Sequence, residues 1–382
     1  MAKHNNASNK KSLIFLLVAG ILILLLANLL PKIQVYIKRP EAAAVLKFPK
    51  DHASHSNYRT EWWYLNLLTR TSNLQGADQK DSGYLLSFSR IDKVGGLLNS
   101  KYDNNSKEFK QNTDFGGNLQ AYLNNQKYLF VSYTNRDSYA TLEERRPGSD
   151  GRKIYKLSGK TPEIGTFNLT LKERTKSTEP LLWGGNSPNC RGRISVFAPN
   201  DTYYYSIPNL DITGTITDID GVTRNVKIGK AWIDHQWLNS APPADWKGHY
   251  WTNFHFTHSD NLYNTAPHQA VGFVTQIYNS GPKYTYWVKR DADGTNQCGT
   301  TANIAIGNYD STNYPSSWTI NLQKSGGNFL ELNGIASSDN QIIDPPGGLP
   351  AFFEPASSYT GKLNGRSING LGFFETHLKR PQ

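Results

Sequence analysis

At 382 residues the chain exceeds one ordinary domain and suits two of roughly 150 residues each. Its formal charge is +10, but Lys3, Lys10, Lys11, Lys32, Lys38 and Arg39 sit in the first 39 residues without an acid, which leaves +4 for the rest. A dispersed +4 is ordinary surface charge and excludes the clustered basic footprint of a nucleic-acid binder.

Residues 1–12 form a basic N-terminus, and Leu13–Leu30 is an apolar run broken only by Asn28. That run is long enough to nearly cross a bilayer core and has lysines on both sides. Its weak cleavage site reads as an uncleaved anchor more than a signal peptide, so residues 46–382 are expected on the extracytoplasmic side, attached to the membrane through this helix. Residues 31–45 are a linker. Cys190 and Cys298 are the only cysteines, so an exported chain permits one disulfide, with two buried thiols as the alternative.

From residue 46 onward there is almost no helical period. Phe48–Leu68, "FPKDHASHSNYRTEWWYLNLL", crowds two histidines, an arginine, a glutamate, two tryptophans and two tyrosines into a run that ends as a strand. Tryptophan and tyrosine carry polar groups that need partners, so a core built for packing alone would favour Leu, Ile and Val. Alternation puts Glu61 and Trp63 on one face and Trp62 and Tyr64 on the other. An inward Glu61 needs a partner, and Arg59, two residues back, is the nearest candidate. The pair either lines a site or ties a barrel wall.

Further runs such as "GYLLSFSRID" (83–92), "GTFNLTLKER" (165–174), "AVGFVTQIYN" (270–279) and "KYTYWVKRDADG" (283–294) are short, β-branched and aromatic, with Gly, Asn and Asp turns between them. The chain therefore reads as all-β. In "GKAWIDHQWLN" (229–239), Asp234 and His235 are neighbours that a regular strand points to opposite faces, with Trp232 beside Asp234 and Trp237 beside His235. The proline-rich "WLNSAPPADWKG" (237–248) reads as a crossover, which gives one unit over 46–240 and a second over 241–382. In "WKGHYWTNFHFTHSD" (246–260), His249, Trp251, Asn253 and His255 share one face, while Tyr250, Thr252, Phe254 and His258 share the other. His255 and His258 point apart, and no spacing completes a metal site. There is no G-x-S-x-G elbow for a serine hydrolase.

These segments together resemble the AttH-like, lipocalin-like proteins that include carotenoid 1,2-hydratase, over roughly residues 46–380. The opening run, "SRID" with Arg90, "TYYYSIPNL" (202–210), "KAWIDHQW", and a closing segment with Glu354 and Glu375 are similar to the family's signatures. The chain departs from them at Gly248–Thr252, where the family usually has G-W-D-W-F, at Asn209 in place of an arginine, and at Leu65-Asn66-Leu67 in place of a glycine-containing turn. The resemblance implies two tandem lipocalin-like antiparallel β-barrels, a site in a barrel cavity lined by the first and central motifs, and a long apolar isoprenoid, polyene or lipid ligand handled without metal or redox cofactor. On a hydratase reading Asp234 is the acid, kept protonated by burial, and His235 orients or deprotonates water. Trp63, Tyr64, Trp237, Tyr250 and Trp251 line the ligand's path, with Glu61 and Arg59 anchoring the wall. A non-catalytic carrier and a cyclase or pericyclase fit the same residues.

Overall fold

The computed structural model describes residues 46–174, 179–184, 190–257, 269–324, 327–345 and 350–380. The expected anchor at 13–30, with its flanks at 1–12 and 31–45, lies outside the described residues, as does His258. Among those described, no helix is long and apolar enough to cross a membrane.

The fold is all-β, with one short 3-10 turn at Lys50–His52. The first sheet comprises β1 (Thr60–Asn73), β2 (Lys80–Ile91), β3 (Val94–Asp103), β4 (Glu108–Asn124), β5 (Tyr128–Thr134) and β6 (Tyr139–Arg145). It continues with β7 (Ile154–Thr161), β8 (Gly165–Glu173), β9 (Leu181–Leu182), β10 (Arg193–Ile194), β11 (Thr202–Thr217) and β12 (Thr223–Leu238). Neighbours pair antiparallel from β1 to β8, β12 pairs β1, and β11 pairs both β12 and β8. Ten strands thereby close into a barrel.

The second sheet comprises β13 (Trp246–Thr257), β14 (Ala270–Tyr278), β15 (Gly281–Arg290), β16 (Asn296–Gly299), β17 (Ala302–Ile306) and β18 (Ser317–Lys324). Then come β19 (Gly327–Ala336), β20 (Ile342–Ile343), β21 (Phe352–Phe353), β22 (Ala356–Leu363) and β23 (Arg366–Thr376). Its order, β16-β15-β14-β13-β23-β22-β19-β18-β17, leaves β16 and β17 unpaired with each other. The second unit is therefore a half-barrel, so the tandem of two antiparallel β-barrels expected from the sequence is present with its second member open. A core of Phe254, Phe273, Trp287, Trp318, Leu332 and Phe374 fills its concave side.

Most barrel strands keep one wet face. β7 alternates buried Tyr155, Leu157 and Gly159 with exposed Lys156, Ser158 and Lys160, the pattern of a wall with a dry interior. β1 and β12 differ. Gly229–Leu238 is buried at every position, and Trp63–Thr69 likewise. Their inward residues, among them Trp63, Leu65, Leu67, Ile233 and Trp237, join the barrel core, while Leu68 and Trp232 on the outward face pack on Trp251, Val274 and Phe373 of the half-barrel. These two strands are the seam between the sheets.

A disulfide joins Cys190, ahead of β10, to Cys298 in β16, with Cα atoms 5.8 Å apart. It ties the two sheets at a point 108 residues apart in sequence. Closing so long a loop restricts the unfolded chain, and replacing both cysteines with alanine is expected to lower the unfolding free energy by about 2–4 kcal/mol in denaturant titrations. An unchanged midpoint and slope would show that the seam holds without the covalent tie.

Candidate functional site

The register of the seam decides what meets. Antiparallel pairing sets Glu61 opposite Trp237, Trp63 opposite His235 and Tyr64 opposite Asp234, while β2 brings Arg90 opposite Glu61. Two-residue alternation then sends Glu61, Trp63, His235 and Trp237 into the barrel, and Trp62, Tyr64 and Asp234 toward the half-barrel. Two polar clusters result, one on each face.

The inner cluster centres on Glu61, which is fully buried. One carboxylate oxygen accepts from His55 Nδ1 at 2.8 Å and His235 Nε2 at 3.0 Å. The other accepts from Arg90 Nη2 at 2.6 Å and Ser54 Oγ at 3.1 Å, and the His55 backbone N–H reaches both. Burial pushes the carboxyl up, but the hydrogen bonds and charge of His235 and His55 prevail and hold it at about 2. His235, pushed down to about 4 by burial against the pull of Glu61, is neutral at physiological pH. Its Nδ1 meets Tyr205 OH at 3.0 Å, and that hydroxyl meets His52 Nδ1 at 2.7 Å. One orientation satisfies this chain: His52 donates to Tyr205, Tyr205 to His235, and His235 to Glu61. Trp63 stacks on His235 at 4.4 Å, and Trp237 on His55 at 3.8 Å.

Arg59 is not the partner of Glu61. It precedes β1, where strand alternation has not begun, and its half-exposed guanidinium binds Asp92 at 2.7 and 2.9 Å. Arg90 takes the expected place because β2 sets it directly across from Glu61.

The outer cluster lines a cavity of about 370 Å³ between the seam and the half-barrel. Its walls include Trp62, Leu98, Phe115, Val196, Trp246 and Phe352, with Tyr64, Tyr204, Asp234, His249, Glu375 and His377 as polar points. The cavity thus lies outside the closed barrel, and Glu61, Trp63, His235 and Trp237 do not border it. Trp251 does, and its Nε1 donates to Tyr204 OH at 2.8 Å. Tyr250 faces the other side of β13, against Phe374 in the half-barrel core. Arg59 borders the mouth.

Asp234 is 3% exposed. It accepts from Tyr204 OH at 2.7 Å, Trp232 Nε1 at 2.6 Å and Ser206 Oγ. Burial, with the charge of Glu375 added, outweighs these donors and raises the carboxyl to about 7. Across from it Tyr64 bridges Glu354 and Glu375. Glu354 is buried, and burial beside the charge of Glu375 pushes it well above the carboxylate range, so it is protonated. Glu375 is pushed up by burial, yet His249, 2.5 Å away, brings it below its ordinary value, so it is ionised. Asn66 donates to Glu354 at 2.9 Å and accepts from Asn253 at 2.9 Å. It stands inside β1 and serves as a polar rivet through the seam.

Glu354 and Glu375 were legible only as acidic positions, and Tyr204, Ser206 and His377 not as site residues. Glu354 and Glu375 find Tyr64 and His249 on strands more than a hundred residues away, Tyr204 and Ser206 find Asp234 on the neighbouring strand, and no local pattern signals either pairing.

The AttH-like family profile matches residues 39–377. Over 284 residues the chain is 22% identical to kievitone hydratase from Fusarium solani subsp. phaseoli, spanning 68% of this chain and 71% of that one. A solved structure described as an AttH protein from Nitrosomonas europaea superposes with a TM-score of 0.64 at 20% identity, covering 90% of this chain and 99% of its own. The solved kievitone hydratase of Nectria haematococca gives 0.59 at 14% identity, covering 88% and 94%. Both structures share the fold. The profile match runs through both sheets, and the chain belongs to the AttH-like family.

Proposed function

We propose that the chain is a hydratase-type enzyme that adds water to an alkene of an apolar ligand held in the cavity between the sheets. The observation that carries this reading is the Asp234 carboxyl, buried on a largely apolar wall and raised to about 7, while Glu375 on the same cavity stays ionised. Environments that push carboxyl pKa values apart assign an acid and a base. A relative named as a hydratase supports the class of reaction.

In this mechanism Asp234 gives its proton to one alkene carbon, and the cation forms on the other. Trp62, Trp246 and Trp251 border the cavity, and each ring face contributes up to ~2 kcal/mol toward a desolvated cation. A water held by Glu375 and His249 adds its hydroxyl to the cation, its remaining proton passes to Glu375, and solvent exchange restores Asp234. His235 has no part in the water step, because it points into the barrel. The inner cluster is the rigid backing of the wall that carries Asp234.

Asp234→Asn keeps the volume and removes the proton, so turnover is expected to fall by ~10²–10⁴-fold while ligand affinity stays within about tenfold. Full activity in a folded Asp234→Asn protein would sink the acid assignment, and a variant that binds ligand when no wild-type turnover exists favours a carrier. Because the acid works protonated, activity in a pH series is expected to decline as pH rises through about 7; a profile flat from pH 5 to 9 contradicts it.

The inner cluster has its own pH signature, read as stability. Glu61 is depressed in the folded state, so its contribution is present above the unfolded carboxyl value near ~4.3 and is lost as pH falls through about 2. His235 is also depressed, so unfolding becomes easier as pH falls below ~6.5, down to about 4. Asp234 and Glu354, raised in the folded state, add stability as pH falls, so the cluster is read by difference: the gap in urea midpoint between wild type and a His235→Gln variant is expected to narrow as pH falls from 7 to 4. Glu61→Ala, which leaves Arg90 without its carboxylate, is expected to cost about 3–5 kcal/mol at pH 7, and a loss below 1 would show the cluster is not structural.

A further inference from the structure

The cavity wall holds a donor set that the acid-base reading does not exhaust. β13 and β23 pair with Trp251 opposite Glu375 and Tyr250 opposite Thr376, so the same ladder extended one step sets His249 beside His377. All of 249, 251, 375 and 377 therefore share one face. Gly248, at a bulge in β13 with φ +149°, permits the approach: a Cβ there would stand 3.0 Å from the His377 Cβ. One nitrogen from each imidazole and one Glu375 oxygen lie within 4.8 Å of one another, and all three residues border the cavity. Bonds of ~2.0–2.2 Å to one ion require any donors farther apart than about 4 Å to draw together on binding.

The geometry points to a divalent transition-metal site, of zinc or cobalt type, formed by His249, Glu375 and His377 with a fourth position open to the cavity. Two imidazoles and one carboxylate suit a borderline cation over magnesium or calcium, which take oxygen ligands. His377 Nδ1 donates to the Ala351 carbonyl at 3.2 Å, which fixes the tautomer and turns the Nε2 lone pair to the site, the usual outer support of a ligating histidine. Charge balance agrees: Glu375 is held by Tyr64 and His249, and among the described residues no lysine or arginine pairs with it.

A second set, His55, Glu61 and His235, also has its donor atoms within 4.8 Å of one another and supplies the contrast. Both Glu61 oxygens are occupied, one by the Arg90 guanidinium 2.6 Å away, which would repel a cation. His235 spends its other nitrogen on Tyr205, and both it and Glu61 are fully buried. The inner set is a saturated hydrogen-bond network; the outer one faces open space.

Ion binding follows from the donors alone, whereas its use in catalysis rests on the hydratase reading. On that reading the ion holds the attacking water and lowers its pKa toward ~7. With the ion bound, Glu375 and His249 serve as its ligands instead of holding the water and taking its proton: Asp234 protonates one alkene carbon, the ion's hydroxide adds to the other, and the proton shed by that water restores Asp234. The sum is one water across the double bond.

The test uses full-length protein without a histidine tag, stripped with chelator and dialysed. Titration with Zn²⁺ by calorimetry and with Co²⁺ by visible absorption is expected to show about one ion per chain, with cobalt bands of low coordination number. His249→Ala/His377→Ala is expected to weaken binding at least tenfold, with folding checked by circular dichroism; if that chain does not fold, His377→Gln alone is read the same way. Glu61→Gln is expected to leave stoichiometry and affinity unchanged. Absence of binding in the wild type, or equal binding in the histidine variant, overturns the site. A zinc-loaded wild type that binds one ion yet hydrates no alkene counts against the hydratase reading and leaves the site standing.

Discussion

A β-strand can keep only one of its two faces for a purpose unless both faces are covered, and the pair β1 and β12 is covered on both. Residues of opposite parity, one position apart in sequence, therefore face different interiors. The Asp234-His235 dipeptide is the sharpest case: its carboxyl borders the cavity between the sheets, while its imidazole is locked into the barrel by Glu61 and Tyr205. A register slip of one residue would exchange the two environments and bury the wrong group in each. The dense polar contacts on both sides of the seam oppose such a slip.

Each face handles its charge differently. Inside the barrel one ionised carboxylate is surrounded by donors, and neutral histidines relay a single orientation of hydrogen bonds outward to His52. On the cavity side three carboxyls share a small apolar space and cannot all ionise cheaply. The charge settles on Glu375, which has His249 beside it; Glu354, deeper and held by Tyr64 and Asn66, keeps its proton. Asp234 lies between these limits, since three donors favour its charge and burial opposes it. Protonation on one wall and negative charge on the other follow from unequal solvation of like groups.

The half-barrel supplies what the closed barrel lacks. Its strands β13 and β23 bring His249, Trp251, Glu375 and His377 against the outward face of the seam, and Asn253 continues the polar line through Asn66 to Glu354. The cavity volume of about 370 Å³ falls in the range of small-molecule sites.

Residue chemistry and two-residue period determined by themselves that the chain is all-β, that Asp234 and His235 face apart, and that His249 and Trp251 share a face. The closing segment also marked Glu354 and Glu375 as notable acids. Tertiary structure alone decided which face carries the cavity, because alternation separates faces without saying which is covered by what. It replaced Arg59 with Arg90 as the partner of Glu61, since cross-strand neighbours come from register and not from chain proximity. It moved Trp63, His235, Trp237 and Tyr250 away from the cavity, joined Cys190 to Cys298, and left the second sheet open. The meeting of His249 with Glu375 and His377 depends on pairing strands separated by over a hundred residues, and the free energy that selects that pairing is spread over two whole sheets rather than written in any short run.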